Sequence, residues 1–411
     1  MNDLRARIAE IVERDRARRA RDEGGRASDG RFSTALRSSL LATPAPSDIA
    51  HEGTGRLGAS ARRGEPSRAP VGSSAPAGTG APLPYEIFEQ RFAVDDLGLE
   101  IVGRGACDPL LLAHLGLKGE PPARWQDVLF LDTETTGLAG GTGTYVFLIG
   151  LAHLEAGELV LRQHLLRDLG AESEFVEHLK QELAPFRACA SYNGKTFDIP
   201  LLRTRFVMAI RSELTVDESH LDLLHPARRL WKDRFGSTTL RQLEESVLDD
   251  GRTADIPGSL IPDAYFHYLR SGDDAIIRPV LEHNERDVVS LVRIADRVAR
   301  AVLEARTGRA PAHAPAAYAL GRVFERTGEL DAAFACLESA YYDGDNVLRL
   351  KVALPYARAL ERRGDIVRVV RMLETLLELG LGNERWREQA ESRIRRLTRR
   401  KTWPPALAAT S

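Results

Sequence analysis

Cysteine is scarce in this sequence: three in 411 residues, Cys107, Cys189 and Cys336, far apart and in no CxxC or zinc-site spacing. A sparse, odd set excludes a disulfide framework and points to a reducing compartment, so a cytoplasmic protein is the expectation. Long hydrophobic runs are missing too. No apolar stretch reaches the roughly 18 residues that cross a bilayer, and no membrane association is expected. The opening MNDLRARIAEIVERDRARRARDE is charged throughout and lacks the apolar segment of a signal peptide. Nor is there much net charge. The balance of −2 excludes a globally basic nucleic-acid binder and leaves any electropositive surface local. The glycines at 137–143 lack the GxxxxGK[ST] string, which excludes a phosphate-cradling P-loop.

What is present divides into three parts. Residues 1–84 begin with a charged helical pattern (Leu4, Ile8, Ile11). They continue as an Arg-, Gly-, Pro- and Ser-rich tail that buries too little apolar surface to order, so disorder is expected. Residues 85–308 read as α/β. Short apolar runs predict strands at 128–131, 145–151, 159–166, 188–192 and 220–224, and helical periods fall at 172–183, 197–208 and 280–303. An early hairpin followed by alternating elements suits a mixed five-stranded sheet with helices. Residues 312–400 carry tetratricopeptide-like helical pairs, with Gly328 and Gly364 36 residues apart against a usual period of about 34. Two units are fewer than the roughly three such an array needs. This small all-α region is therefore expected to pack on the preceding domain or on a protein partner. Arginines 393, 395, 396, 399 and 400 make its end either a basic patch or a solvated helix face.

Three strings carry chemistry. In LDTETTGL, Asp132 and Glu134 stand two apart at the end of an apolar strand. Alternation puts both carboxylates on one face, where they repel and gain nothing for folding. They make sense as ligands for a hard divalent cation. In SYNGKTFDIPLL, Asp198 opens a helix, where a lone Asp is commonly a cap. Asn193 and Lys195 share its loop, and Lys195 is equally a phosphate contact or a solvated lysine. In HNERDVVSL, His283 and Asp287 lie four apart on one helical face, the residue types of a general base beside a metal carboxylate. Asp222, in HLDLLHP, reads chiefly as a strand-end Asp bonding backbone. Tyr265, Phe266 and Tyr268 read chiefly as core and secondarily as base-stacking groups.

The ordered strings DTETTGL, NGKTFD and HNERD resemble the DEDD superfamily of DnaQ-like 3′→5′ exonucleases. The fuller GTGTYVFLIGL, YNGKTFDIPLLRTRF, HLDLLHPARRLWK, DIPG and HNERDVVSL are similar to its YprB-like branch. The likeness covers about residues 85–308. It implies a ribonuclease-H-like fold, two Mg²⁺ or Mn²⁺ ions, and hydrolysis of phosphodiester bonds from single-stranded 3′ ends of DNA or RNA. By motif, Asp132, Glu134, Asp198 and Asp287 would be the metal carboxylates. His283 would orient or deprotonate the attacking water, Thr136 and Leu138 would seat the terminal nucleotide, and Asn193 would contact its backbone. The histidine type of the family usually places its His five residues before the last Asp. Here it stands four before, at the tyrosine-type spacing, so base and positioner both stay open for His283. A structure-specific endonuclease with the same site remains an alternative. So does a non-catalytic scaffold, although such proteins typically lose one of the four carboxylates.

Overall fold

A computed structural model of the chain describes residues 84–117, 119–137, 142–216, 219–252 and 255–399. The predicted N-terminal tail, Leu138 and the end of the basic segment lie outside them. Described residues 255–280 belong to one compact unit, and 84–252 with 281–399 to another. In the first, the helix Ile261–Ser271 buries Ile261, Ala264, Tyr265 and Tyr268. Tyr265 and Tyr268 are thus packing residues.

The second unit is built on six strands: β1 (Tyr85–Ala93), β2 (Val128–Thr135), β3 (Val146–Glu155), β4 (Glu158–Leu166), β5 (Ala188–Ser191) and β6 (His220–Asp222). Their spatial order is β1-β4-β3-β2-β5-β6. The first four pair antiparallel, and β5 and β6 join parallel to β2. The predicted five-stranded sheet is therefore corrected to six strands. β1 is an edge strand whose residues are mostly half-buried and which carries Glu86, Glu89 and Arg91. Charge blunts an exposed sheet edge and erases the apolar alternation that sequence reading depends on.

The helices are α1 (Pro109–Leu115), α2 (Glu172–Leu183), α3 (Asp198–Ile210), α4 (Leu224–Phe235) and α5 (Leu240–Ser246), with α6 the helix Ile261–Ser271 already described. They continue with α7 (Asp274–Arg306), α8 (Ala314–Thr327), α9 (Leu330–Asp343), α10 (Asn346–Arg362), α11 (Ile366–Glu378) and α12 (Glu384–Thr398). α7 starts earlier than its apolar period suggested because Pro279 lies inside it. As the sixth residue of the helix it lacks the N–H that would bond the carbonyl four residues back, and a proline so placed reads in the sequence as a helix break. Val288, Leu291, Val292, Ala295, Val298, Ala299 and Val302 form its fully buried stripe.

One apolar core runs from Phe130 on β2 through this stripe to Leu320 and Phe324 on α8 and Ala333 and Cys336 on α9. Helices α8 and α9 thus share the core of the preceding α/β part, one of the two expected outcomes. A second cluster fills α10–α12 around Tyr356, Val369 and Leu373. In the basic segment, Arg393 and Arg396 pair with Glu361, and Arg395 with Glu391. Among the described residues no helix is long and apolar enough to cross a membrane.

Candidate active site

The site forms where β2 leaves the core. Val128–Leu131 are buried, and Asp132–Thr135 are the first partly open positions of the strand. Asp132 pairs with Gly150 on β3, and Gly150 with Gln163 on β4. Directly opposed residues in antiparallel strands share a face, so Asp132, Gly150 and Gln163 make one row across the sheet. Asn284 of α7 lies over the middle of that row, fully buried. Its Nδ2 donates to Asp132 Oδ2 at 3.0 Å and to the Asp132 carbonyl at 3.3 Å. Its Oδ1 accepts from Gln163 Nε2 at 3.0 Å, and Gln163 also donates to the Leu281 carbonyl at 2.8 Å. Only glycine permits this approach. A Cβ on Gly150 would lie 2.4 Å from Asn284 Oδ1 and 2.7 Å from Val288 Cγ2.

β5 lies beside β2, so the loop after it delivers Asp198 to the same strand end. Thr133 Oγ1 donates to Asp198 Oδ1 at 2.5 Å. The loop is tied down by Asp222, which is buried at the end of β6. Asp222 accepts the Asn193 amide at 2.8 Å, the Leu224 amide at 3.1 Å and the Lys195 amide at 3.3 Å. That is the backbone-bonding role its strand-end position suggested. Asn193 sits in the left-handed region at φ 65°. A Cβ on the next residue, Gly194, would meet Ser191 Oγ at 2.3 Å. The shape of this turn leaves room for no other residue. Thr136 is bound to the opposite strand: its hydroxyl accepts the Tyr145 amide at 2.9 Å.

α7 brings the third part. The His283 Nε2 is 3.8 Å from Glu134 Oε1 and 3.7 Å from Asp287 Oδ2, so the ring lies between two carboxylates without a direct hydrogen bond to either. Arg252 Nη1 stands 3.3 Å from His283 Nδ1. A guanidinium only donates, so this contact suits the tautomer in which Nδ1 accepts and Nε2 carries the proton. Arg252 Nη2 also donates to Asp287 Oδ1. It also bonds the buried Glu244, at 2.5 and 2.7 Å.

The electrostatics are those of a site held against its own preference. Burial, then the charges of Asp287, Asp198 and Glu134, hold the Asp132 carboxyl well above the usual carboxylate range, against the Asn284 hydrogen bond. Burial also raises Asp198, with Thr133 and two backbone amides opposing and Asp222 adding. Burial raises Asp287, with His283 and Arg252 opposing and Glu244 adding. Among the described residues, no three His, Cys, Asp or Glu side chains form a ready-made metal-binding group. The donor chemistry nevertheless fits a hard cation: oxygen ligands, mutually repelling, at the mouth of a core.

Asp132, Glu134, Asp198, His283 and Asp287 thus belong to one neighbourhood, with Asn193 and Lys195 in the loop before Asp198. Sequence reading missed Thr133, Gln163, Glu244, Arg252 and Asn284. Asn284 was visible inside the HNERD string, whereas nothing local marks Arg252.

The model of the RNase_H superfamily matches residues 129–299. The uncharacterized protein YprB of Bacillus subtilis (strain 168) is 35% identical over 238 residues, 56% of this chain; the matched stretch spans 56% of that relative's length. A family B DNA polymerase from the archaeon Pyrobaculum calidifontis is also similar, with a TM-score of 0.33 and 17% identity over 50% of this chain and 29% of the polymerase. That likeness is too loose to bear on the site. Residues 129–299 thus match the nuclease-type RNase_H superfamily, with a mixed six-stranded sheet consistent with that fold.

Proposed function

We propose that this domain is a metal-dependent nuclease that hydrolyses phosphodiester bonds from the single-stranded 3′ ends of nucleic acid. One observation carries the reading. Four acidic side chains from three separate segments meet at the end of β2, close enough that three of them raise the proton affinity of the fourth, Asp132. A fold gains nothing from such repulsion, and perturbed carboxylates grouped in this way mark functional sites. The 3′ polarity rests on the likeness of the motif strings to the DEDD exonucleases.

Asp132, Glu134, Asp198 and Asp287 would hold two divalent cations, Mg²⁺ or Mn²⁺. When bound, such ions supply charge neutralisation at the scissile phosphate and activation of water. The protein's own groups do the rest. Asn284 and Thr133 hold Asp132 and Asp198 in place. His283, with its Nε2–H directed between Glu134 and Asp287, positions the attacking water as a donor. The turn at Asn193–Lys195, fixed by Asp222, would offer the Asn193 side chain and the Lys195 ammonium to the phosphate backbone. Thr136, and Leu138 beyond it, would seat the terminal nucleotide. The helices α8–α12 would serve as a tetratricopeptide-like platform for a protein partner.

The test is degradation of 5′-labelled single-stranded DNA and RNA of matched sequence in Mg²⁺, Mn²⁺ and EDTA, beside Asp132→Asn. A metal-dependent ladder shortening from the 3′ end, absent with the variant, is expected. Cleavage that persists in EDTA, or no cleavage of either strand with any metal, would sink this reading.

A further inference from the structure

Arg252 is not part of any motif string, yet it is held more tightly than the carboxylates it faces. Its side chain is 4% exposed and that of its partner Glu244 2%. Two of its nitrogens bond both oxygens of Glu244, and Nη2 reaches on to Asp287 Oδ1. The guanidinium does not lose its charge at any ordinary pH. Freeing it would leave Glu244 buried and unpaired, which is strongly unfavourable. Arg252 therefore stays where it is, and one oxygen of Asp287 is permanently engaged. The other, Oδ2, is turned toward His283 at 3.7 Å.

We propose that Arg252 is a resident cation of the carboxylate cluster, which holds one oxygen of Asp287 in the metal-free protein and competes with a divalent cation for that side chain. It is a positioning residue, not a catalytic one. The proposal rests on reading the four carboxylates as a cation site. Two consequences follow from it. The empty cluster is tolerable because a fixed positive charge already sits against it. The entering metal finds Asp287 half-occupied, so the clamp weakens metal binding at that corner. A purely structural pair, tying α5 to α7, would have neither effect on the metal.

The test uses the full chain with Glu244→Gln and Arg252→Gln together. The pair has zero net charge before and after, so Glu244 is not stranded and only Asp287 loses its counter-ion. Mn²⁺ binding is read by calorimetry, and thermal unfolding is followed in EDTA and in saturating Mn²⁺. The double variant is expected to melt lower than wild type in EDTA and to gain more from Mn²⁺. It should bind the ion about tenfold more tightly, the order of one charge-assisted hydrogen bond. Arg252→Lys keeps the charge but loses the fork, so its affinity should fall between the two; it carries the test if the double variant does not fold. Variants that bind Mn²⁺ as wild type does, or more weakly, overturn the resident-cation role while leaving the nuclease reading intact. No binding by any of the three proteins instead defeats the metal reading on which the proposal stands.

Discussion

Asn284→Asp is the substitution that probes the site's architecture most directly. The two side chains have the same shape, and the replacement can still accept from Gln163. What changes is the contact with Asp132, where a donor 3.0 Å from a carboxylate oxygen becomes a second carboxylate. With both ionised, the repulsion at about 3 Å and an effective dielectric of about 20 is roughly 5 kcal/mol. The folded protein has a cheaper option, which is to keep one proton on the pair. Holding a proton on an aspartate of ordinary pKa near 3.9 costs about 4 kcal/mol at pH 7 and about 1.5 kcal/mol at pH 5. That cost is the ceiling, because the protonated pair recovers an O–H···O bond. The folded variant binds one more proton than the unfolded chain, so stability is lost as pH rises above about 3.9. Urea unfolding in EDTA at pH 5 and pH 7 should show the deficit against wild type growing between the two, by less than about 2–3 kcal/mol because the raised Asp132 carboxyl already carries part of that cost in wild type. A deficit equal at both pH values, or under about 1 kcal/mol at pH 7, would show that Asn284 and Asp132 are not in contact.

Other outcomes follow from the same geometry. Asp132→Asn should abolish hydrolysis yet raise the melting temperature in EDTA at pH 7. Its carboxyl is held above the ordinary range, so ionising it in the folded state is unfavourable, and the gain should vanish below about pH 4; a lower melting temperature at pH 7 would contradict this. Gly150→Ala should cost about 1–3 kcal/mol, read by urea midpoint, because its Cβ would strike Asn284 and Val288. If His283 positions water by its Nε2–H, His283→Gln should retain clearly more turnover than His283→Ala. Equal losses of about 10²–10⁴-fold for both would make it the general base instead.

The parts of the site legible in the sequence are those that local periodicity places. Asp132 and Glu134 share a face because strands alternate, and His283 and Asp287 because four residues make a helical turn. Asp198 was placed by its loop. The residues that hold these five in position were not legible. Asn284 meets Asp132 across 152 positions, and Arg252 meets Asp287 across 35. No spacing rule links such pairs; the sheet register and the packing of α7 over Gly150 decide them. The fold shows the same division. The buried strands announced themselves as apolar runs, while β1, at the charged edge, did not.

The core that continues from the sheet into α8 and α9 changes what a boundary near residue 310 means. The Phe324 ring packs at a tilt against His114 of α1 with centroids 4.9 Å apart, and Arg306 at the end of α7 bonds both Asp108 and Glu329. A nuclease half cut free there would open an apolar face that the sheet's own helices do not cover. A shared core predicts one cooperative transition, so that α8 and α9 do not melt ahead of the sheet when unfolding is followed by heat or denaturant. A ligand that bound the C-terminal helices would thereby act on the stability of the helix that carries His283 and Asp287. A binding event more than one helix away could in this way be felt as a change in the population of folded, competent sites rather than as a movement of any one residue.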